Sequence, residues 1–440
     1  MGVQAHERRA DRCAGDAPPR GAYVLERDHR CRRDAFKNGT ARTYRRIERV
    51  AEVRAFAALR YDERVAGPLS ALICPPYDVI SPEQRRALEA RSPRNFVHVE
   101  LPDEEPRGYA RAAELLRTWI AEGALVADEP SIYLHEHEFT VKGQRASRRG
   151  VFVALRVHPA SDRVVLPHEL TFPKAKADRL ELLRATRANT SPIFGMVDAS
   201  VMTALRGAHA TPVGQATLGE DHHWLSRVGG PTTEKFREAM RDKRVYLADG
   251  HHRYETALNY AEERGAPPDA PERFVLAYLC SLEDPGLRIF ATHRIVRGGG
   301  DALVQAAQRS FTSAPTDRRK ISESVPGIVL ARGDQFTRLE VRRDVDLSRL
   351  PAAWRSLPVA LAEELLVRLA REAGAEIGYE HDTERAVSAA RDGATAILLR
   401  AVDAATLRSV ADAGERLPQK TTYFYPKVPA GLVIRSLDAG

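Results

Sequence analysis

Asp249-Gly250-His251-His252-Arg253 packs a carboxylate, a glycine, two imidazoles and an arginine fork into five consecutive residues. An apolar run of strand length, Val245–Ala248, precedes it. Tyr254, Ala257, Leu258 and Ala261 follow at i, i+3, i+4 and i+7, one face of a helix, and Gly265 with Pro267 and Pro268 stops it. A helix start offers free N–H groups and the positive end of a dipole, which suits a phosphate or carboxylate. Arg253 adds a bidentate fork, and Gly250 lets backbone come close. The competing reading is structural: Asp249 caps the helix and the histidines form a hydrogen-bonded corner.

Two further stretches are dense in groups that would accompany such a site. Leu166–Arg179 carries His168, Glu169, Thr171, Lys174, Lys176, Asp178 and Arg179. Glu169 would serve as a base and Lys174 or Arg179 as a phosphate cation; otherwise the stretch is a solvated loop. Asp178 with Glu181 reads as a cap for the helix carrying Leu180 and Leu183. Pro418–Lys427 holds Lys420, Lys427, Thr421, Thr422, Tyr423 and Tyr425, a donor set able to close a site or an ordinary edge strand. Pro75–Ser81 is a stiff loop tipped by Tyr77 and Asp78, a rigid corner or the lining of a site, ahead of a helix capped by Ser81, Pro82 and Gln84. His135 and His137 share a strand face, as a metal pair or a wet face. His222-His223 reads as a surface feature.

These groups need elements to hold them. A chain of 440 residues buries a sizeable core and holds two or three domains. Residues 1–49 are read as a disordered basic tail. Residues 50–297 are an N-terminal and central domain with strands at Asn95–Leu101, Ser131–Val141 and Gly150–Val157. Thr211–Gly230 is expected to be irregular. Gly298–Gly300 is read as a linker to a C-terminal lobe, 301–440, of alternating strands and helices. The net charge of +7 sits in the tail: the first fifty residues hold twelve Arg and one Lys against seven acids. The nearly neutral body makes nucleic acid an unexpected partner. Four scattered cysteines make no metal or disulfide pattern, and no stretch resembles a membrane span or secretory signal, so a cytoplasmic location is expected.

PPYDVIS, HELT with the following lysines and DRL, ADGHHRYETAL, THR and PQKTTYFYPK occur in this order between about Val53 and Leu437. In these the chain resembles the family called domain of unknown function 1015. Strand–DGHHR–helix is also similar to the phosphate-binding motif of the ParB/sulfiredoxin-like superfamily, including its free serine kinases. The expected fold is α+β, a mixed-sheet main domain containing this element and a smaller α/β C-terminal lobe; the resemblance adds what the element does. It implies a nucleotide element made of Asp249, Gly250, His251, His252 and Arg253, with a separate carboxylate activating an acceptor hydroxyl.

The leading expectation is therefore phosphoryl transfer from ATP, or ADP, with Mg²⁺ to a small hydroxylated metabolite, serine among them. Asp249 would hold the metal, His251 or His252 would serve the leaving group and Glu169 the acceptor. His168 stands beside Glu169, with Arg253, Lys174, Arg179, Lys420 and Lys427 on phosphate. The rivals are a metal-dependent hydrolase using His168, Glu169, Asp249, His251 and His252, and a non-catalytic nucleotide or nucleic-acid binding protein. Oligomeric state is not legible.

Overall fold

A computed structural model describes residues 50–103, 107–171 and 173–438, so the expected tail lies outside the described residues. The side chain of Lys174 lies outside them too.

The main sheet has nine strands and mixed direction. Across it run Val165–Pro167, Val245–Asp249, Ile193–Val197, Phe274–Ser281, Gln144–Arg156, Ile132–Val141, Asp221–Val228 and Thr211–Leu218, with Val53–Arg54 beside Gln144–Arg156. Val245–Asp249 is parallel to Val165–Pro167 and antiparallel to Ile193–Val197, which is itself parallel to Phe274–Ser281. The central strands are buried on both faces, which explains why FVLAYLC reads as an unbroken apolar run. Gly195 is required between two of them: a Cβ there would stand 2.5 Å from Val245 and 2.8 Å from Leu279.

Several sequence expectations give way to longer-range contacts. Asn95–Leu101 contains a short helix, Val97–Glu100, and no strand. Buried Asn95 starts it, accepting from the Val97 N–H and donating to the Ala71 carbonyl. Thr211–Gly230 contains a hairpin, Thr211–Leu218 with Asp221–Val228, turning at Gly219 with φ +65° and shifting register between Leu225 and Ser226. Its polar outer face hides the alternation. Asp178 lies within the helix Pro173–Thr186, so it caps nothing; it accepts from Tyr109 and Arg179. The capping box of Pro82–Arg91 is present as read, with Ser81 and Gln84 reciprocally bonded.

A second sheet of six strands runs Phe311–Pro315, Gln335–Val341, Ile328–Arg332, Thr395–Leu399, His293–Arg297 and Glu376–Glu380. Because His293–Arg297 belongs to it, the boundary expected at Gly298–Gly300 falls inside this sheet; Gly299 caps the helix Gly300–Ser310. The chain then returns to the main body. Thr422–Tyr425 pairs with Arg288–Ala291, and Ile434–Ser436 pairs with both Ala58–Tyr61 and Ala188–Asn189. That return lays Pro418–Lys427 over the end of Val245–Asp249.

Candidate functional site

The strand Val245–Asp249 ends at a left-handed Gly250, φ +80°, and the helix His251–Glu263 starts at once. No side chain caps this helix, so its first N–H groups stay available. Asp249 turns away from them. Its Oδ1 accepts from Lys427 Nζ at 2.5 Å and its Oδ2 from Arg253 Nη2 at 2.9 Å. Burial alone would raise the Asp249 carboxyl, but Lys427 and Arg253 hold it well below its ordinary value. Lys427 is pushed up correspondingly: burial opposes its charge, and Asp249 and Asp78 outweigh it. Asp249 therefore neither caps the helix nor offers a free oxygen to a metal. It is the anchor that fixes two cations beside the helix start.

Arg253 is held by the Pro192 carbonyl at 2.5 Å as well as by Asp249, while its buried Nε makes no hydrogen bond. A Cβ at Gly250 would lie 3.0 Å from that Nε and 3.1 Å from Ile193 Cα, so only glycine admits this approach. His251 is buried and packs edge-on to His168, ring centroids 4.8 Å apart; burial lowers its pKa, and its Nε2 has no partner. Burial and the nearby Lys420 also lower His252.

The second expected cluster meets the first, with different duties. His168 Nδ1 donates to the Leu247 carbonyl at 2.7 Å, so Nε2 is the acceptor facing Thr422 Oγ1 at 3.2 Å; burial brings its pKa down to about 4. The ring staples the strand to the C-terminal return. Glu169 is likewise spent: Oε1 accepts from the Lys420 N–H at 2.7 Å and Oε2 from the Thr421 N–H at 3.2 Å. Burial raises its carboxyl, against the pull of those amides and Lys420. As a free base Glu169 is thereby corrected to a clamp on the Lys420 turn. Arg179, expected as a phosphate cation, lies over the Tyr77 ring, 4.1 Å from its centroid, and bonds Asp178 and the Glu100 carbonyl, so it positions the Tyr77 loop.

Sequence reasoning left the Tyr77–Asp78 loop undecided and missed Glu100 altogether. Buried Glu100 accepts from Ser191 Oγ at 2.7 Å and the Tyr77 N–H at 3.3 Å, holding the loop in place. Asp78 stands 3.8 Å from Lys427 Nζ, its side chain 23 % exposed. Tyr423, pushed up to about 12 by burial, lies under Lys427 at 5.0 Å. PPYD was the signal for the loop; nothing local marks Glu100.

The five residues named for a metal-dependent hydrolase do not gather as ligands: the oxygens and nitrogens of His168, Glu169 and Asp249 already face partners. Among the described residues, the group of His, Asp, Glu or Cys close enough to hold an ion lies elsewhere, at His137, Asp221 and His223. There the expectation of a surface His222-His223 is corrected, since His223 is 2 % exposed.

The model of one family, described as "Protein of unknown function (DUF1015)", matches residues 53–360. The chain belongs to this family. The match spans the Tyr77, His168 and Asp249 segments and stops before Pro418–Lys427. No curated protein matches the chain. Similar solved structures include a conserved hypothetical protein from Pyrococcus furiosus, 13% identical, covering 66% of this chain and 97% of that one at TM-score 0.38. SbnI with a C-terminal truncation, from Staphylococcus aureus, is 13% identical over 64% of this chain and 86% of that one, TM-score 0.37. A free serine kinase in complex with AMP is 13% identical over 66% of this chain and 93% of that one, TM-score 0.39. These values are too low to bear on function.

Proposed function

We propose that the cleft at the start of the helix His251–Glu263 binds nucleotide phosphates and transfers a phosphoryl group to a small hydroxylated metabolite, with serine the first candidate. One observation carries the reading. Three segments far apart in sequence converge on an uncapped helix start, where Asp249 fixes Lys427 and Arg253 in place. Phosphoryl transfer asks a protein mainly for positioning and charge neutralisation, and this cleft supplies both.

The residues fit a phosphate. The His251, His252 and Arg253 N–H groups and the unpartnered Arg253 Nε point to bound oxygens, and Gly250 leaves room for them. Lys420, on the turn that Glu169 clamps, closes the site from the C-terminal return. They fit Mg²⁺ less well at Asp249, which is committed to two cations. A bound Mg²⁺–nucleotide would supply the transferable phosphoryl group. Asp78 takes the acceptor's hydroxyl proton, its carboxylate being open to the cleft where Glu169 is not. His252 donates toward the leaving oxygen. The partner is a small molecule. The described residues contain no helix long and apolar enough to cross a membrane, and a cytoplasmic location goes with this reading.

The test is phosphorus NMR of the protein with ATP, Mg²⁺ and a panel of hydroxylated amino acids and sugars. The reading expects ADP and one new phosphate ester, and at least a hundredfold slower formation with Asp78→Asn. ADP formation that ignores every acceptor, or none at all, would count against it.

A further inference from the structure

A second cluster, on the far half of the main sheet, holds polar groups that the cleft does not use. His135 and His137 lie on one face of the strand Ile132–Val141, and the hairpin brings His223 directly opposite His137. His137 and His223 ring centroids are 4.1 Å apart, and all three rings are buried. His137 Nε2 meets Asp221 Oδ2 at 2.9 Å, and His135 Nε2 meets His223 Nδ1 at 3.1 Å. Each ring therefore has one nitrogen engaged. The other nitrogens, His135 Nδ1, His137 Nδ1 and His223 Nε2, are buried with no partner. Arg148, cross-strand from His137, is fully buried, and none of its three guanidinium nitrogens makes a hydrogen bond.

Buried polar atoms in a folded protein are nearly always paired, and an unpaired buried charge is costly. Six such atoms in one place mark something missing. Histidine rings for packing alone would not be expected to gather with a carboxylate so that ligand atoms of His137, Asp221 and His223 lie within 4.8 Å of one another.

We propose that His137, Asp221 and His223 bind one divalent transition-metal ion of the zinc class, and that Arg148 secures an anionic fourth ligand on it. Two imidazoles and a carboxylate suit a borderline ion, and three protein ligands leave one position open. His135 acts on His223 from behind: its bond to Nδ1 aims His223 Nε2 into the site. Arg148 explains why the open position takes an anion. The metal and the guanidinium together carry three positive charges against the single negative charge of Asp221, so a hydroxide, carboxylate or phosphate oxygen between them reduces the excess. Asp221, 23 % exposed beside the hairpin turn, provides the way in. Phe194 links the two regions: Arg148 lies 4.9 Å over its ring, and it pairs in register with Asp249. It is independent of the phosphoryl-transfer reading.

The experiment is titration of chelator-stripped full-length protein with Co²⁺, read by visible absorption and calorimetry. One Co²⁺ per chain with the intense spectrum of a four-coordinate site is expected, displaced by Zn²⁺. His223→Gln and His137→Gln should each abolish stoichiometric binding with the circular dichroism unchanged. His135→Gln should weaken it about 10–100-fold. Added inorganic phosphate should shift the cobalt spectrum of wild type and leave that of Arg148→Gln unmoved. No stoichiometric Co²⁺ in the folded wild type would overturn the proposal, as would binding that survives both histidine substitutions. The wild-type titration decides even if a variant fails to fold.

Discussion

The cleft at Asp249 and the histidine cluster beside Arg148 stand on the same sheet and treat buried charge in opposite ways. In the cleft, Lys427 and Arg253 share the Asp249 carboxylate, and Glu169 is matched by two backbone N–H groups. In the cluster, a fully buried guanidinium lies over aromatic rings, and neither it nor three imidazole nitrogens make a hydrogen bond. In the first region the fold itself fixes the ion pairs and leaves Arg253 Nε and His251 Nε2 unpartnered, so its ligand meets a preset array. The second is completed only by something bound. A preset array favours reaction chemistry, where cations must not wander; an incomplete one favours a resident ion.

Removing one cation from each region breaks the comparison most sharply. Lys427→Met should strand Asp249 and cost about 3–5 kcal/mol, because an uncompensated carboxylate would remain buried. Arg148→Met, in metal-free protein, should be neutral or stabilising by about 1–4 kcal/mol, since it deletes an unpaired buried charge. Urea denaturation checks both, and equal signs would remove the distinction.

Within the cleft, the two carboxylates should respond oppositely to pH. Asp249 is depressed in the fold, so its contribution is full above its unfolded value of about 3.9 and is lost as pH falls below it. Glu169 is raised, so its contribution is full below its unfolded value of about 4.3 and is lost as pH climbs through the raised one. Measured against Asp249→Asn, the wild-type stability advantage should shrink on acidification. Against Glu169→Gln it should shrink as pH rises. Parallel slopes would mean that the two groups are not held differently.

Gly250→Ala should cost about 1–3 kcal/mol through its positive φ and its crowding of Arg253, and should weaken nucleotide binding disproportionately. The smallest effect is the control. Ser81→Ala should lose about 1 kcal/mol with the capping box and leave binding unchanged, because the helix it caps carries no cleft residue. Loss of binding there would mean that the Tyr77 loop depends on that cap.

Much of this was readable in the residues. The apolar run before Asp249, the glycine and the amphipathic stripe fixed a strand–turn–helix, and the charged stretches at His168 and Lys420 declared themselves by density. The duties within them were not readable. Whether a carboxylate is free or spent depends on what faces it: Glu169 is spent on amides some 250 positions later, at Lys420 and Thr421. For the same reason Asp249 looked like a metal ligand until Lys427 was beside it. His137 and His223 became neighbours only through a hairpin whose exposed polar residues concealed its period, and Asn95–Leu101 alternated like a strand while a buried Asn95 started a helix.

The central claim is that the start of the helix His251–Glu263 receives nucleotide phosphates. Calorimetric titration of the full chain with ATP and with ADP, each with Mg²⁺, tests it most directly. One saturable site per chain is predicted, weakened at least tenfold by Arg253→Lys, which keeps the charge and loses the fork. No binding heat in folded wild-type protein, or affinity indifferent to that substitution, would contradict it.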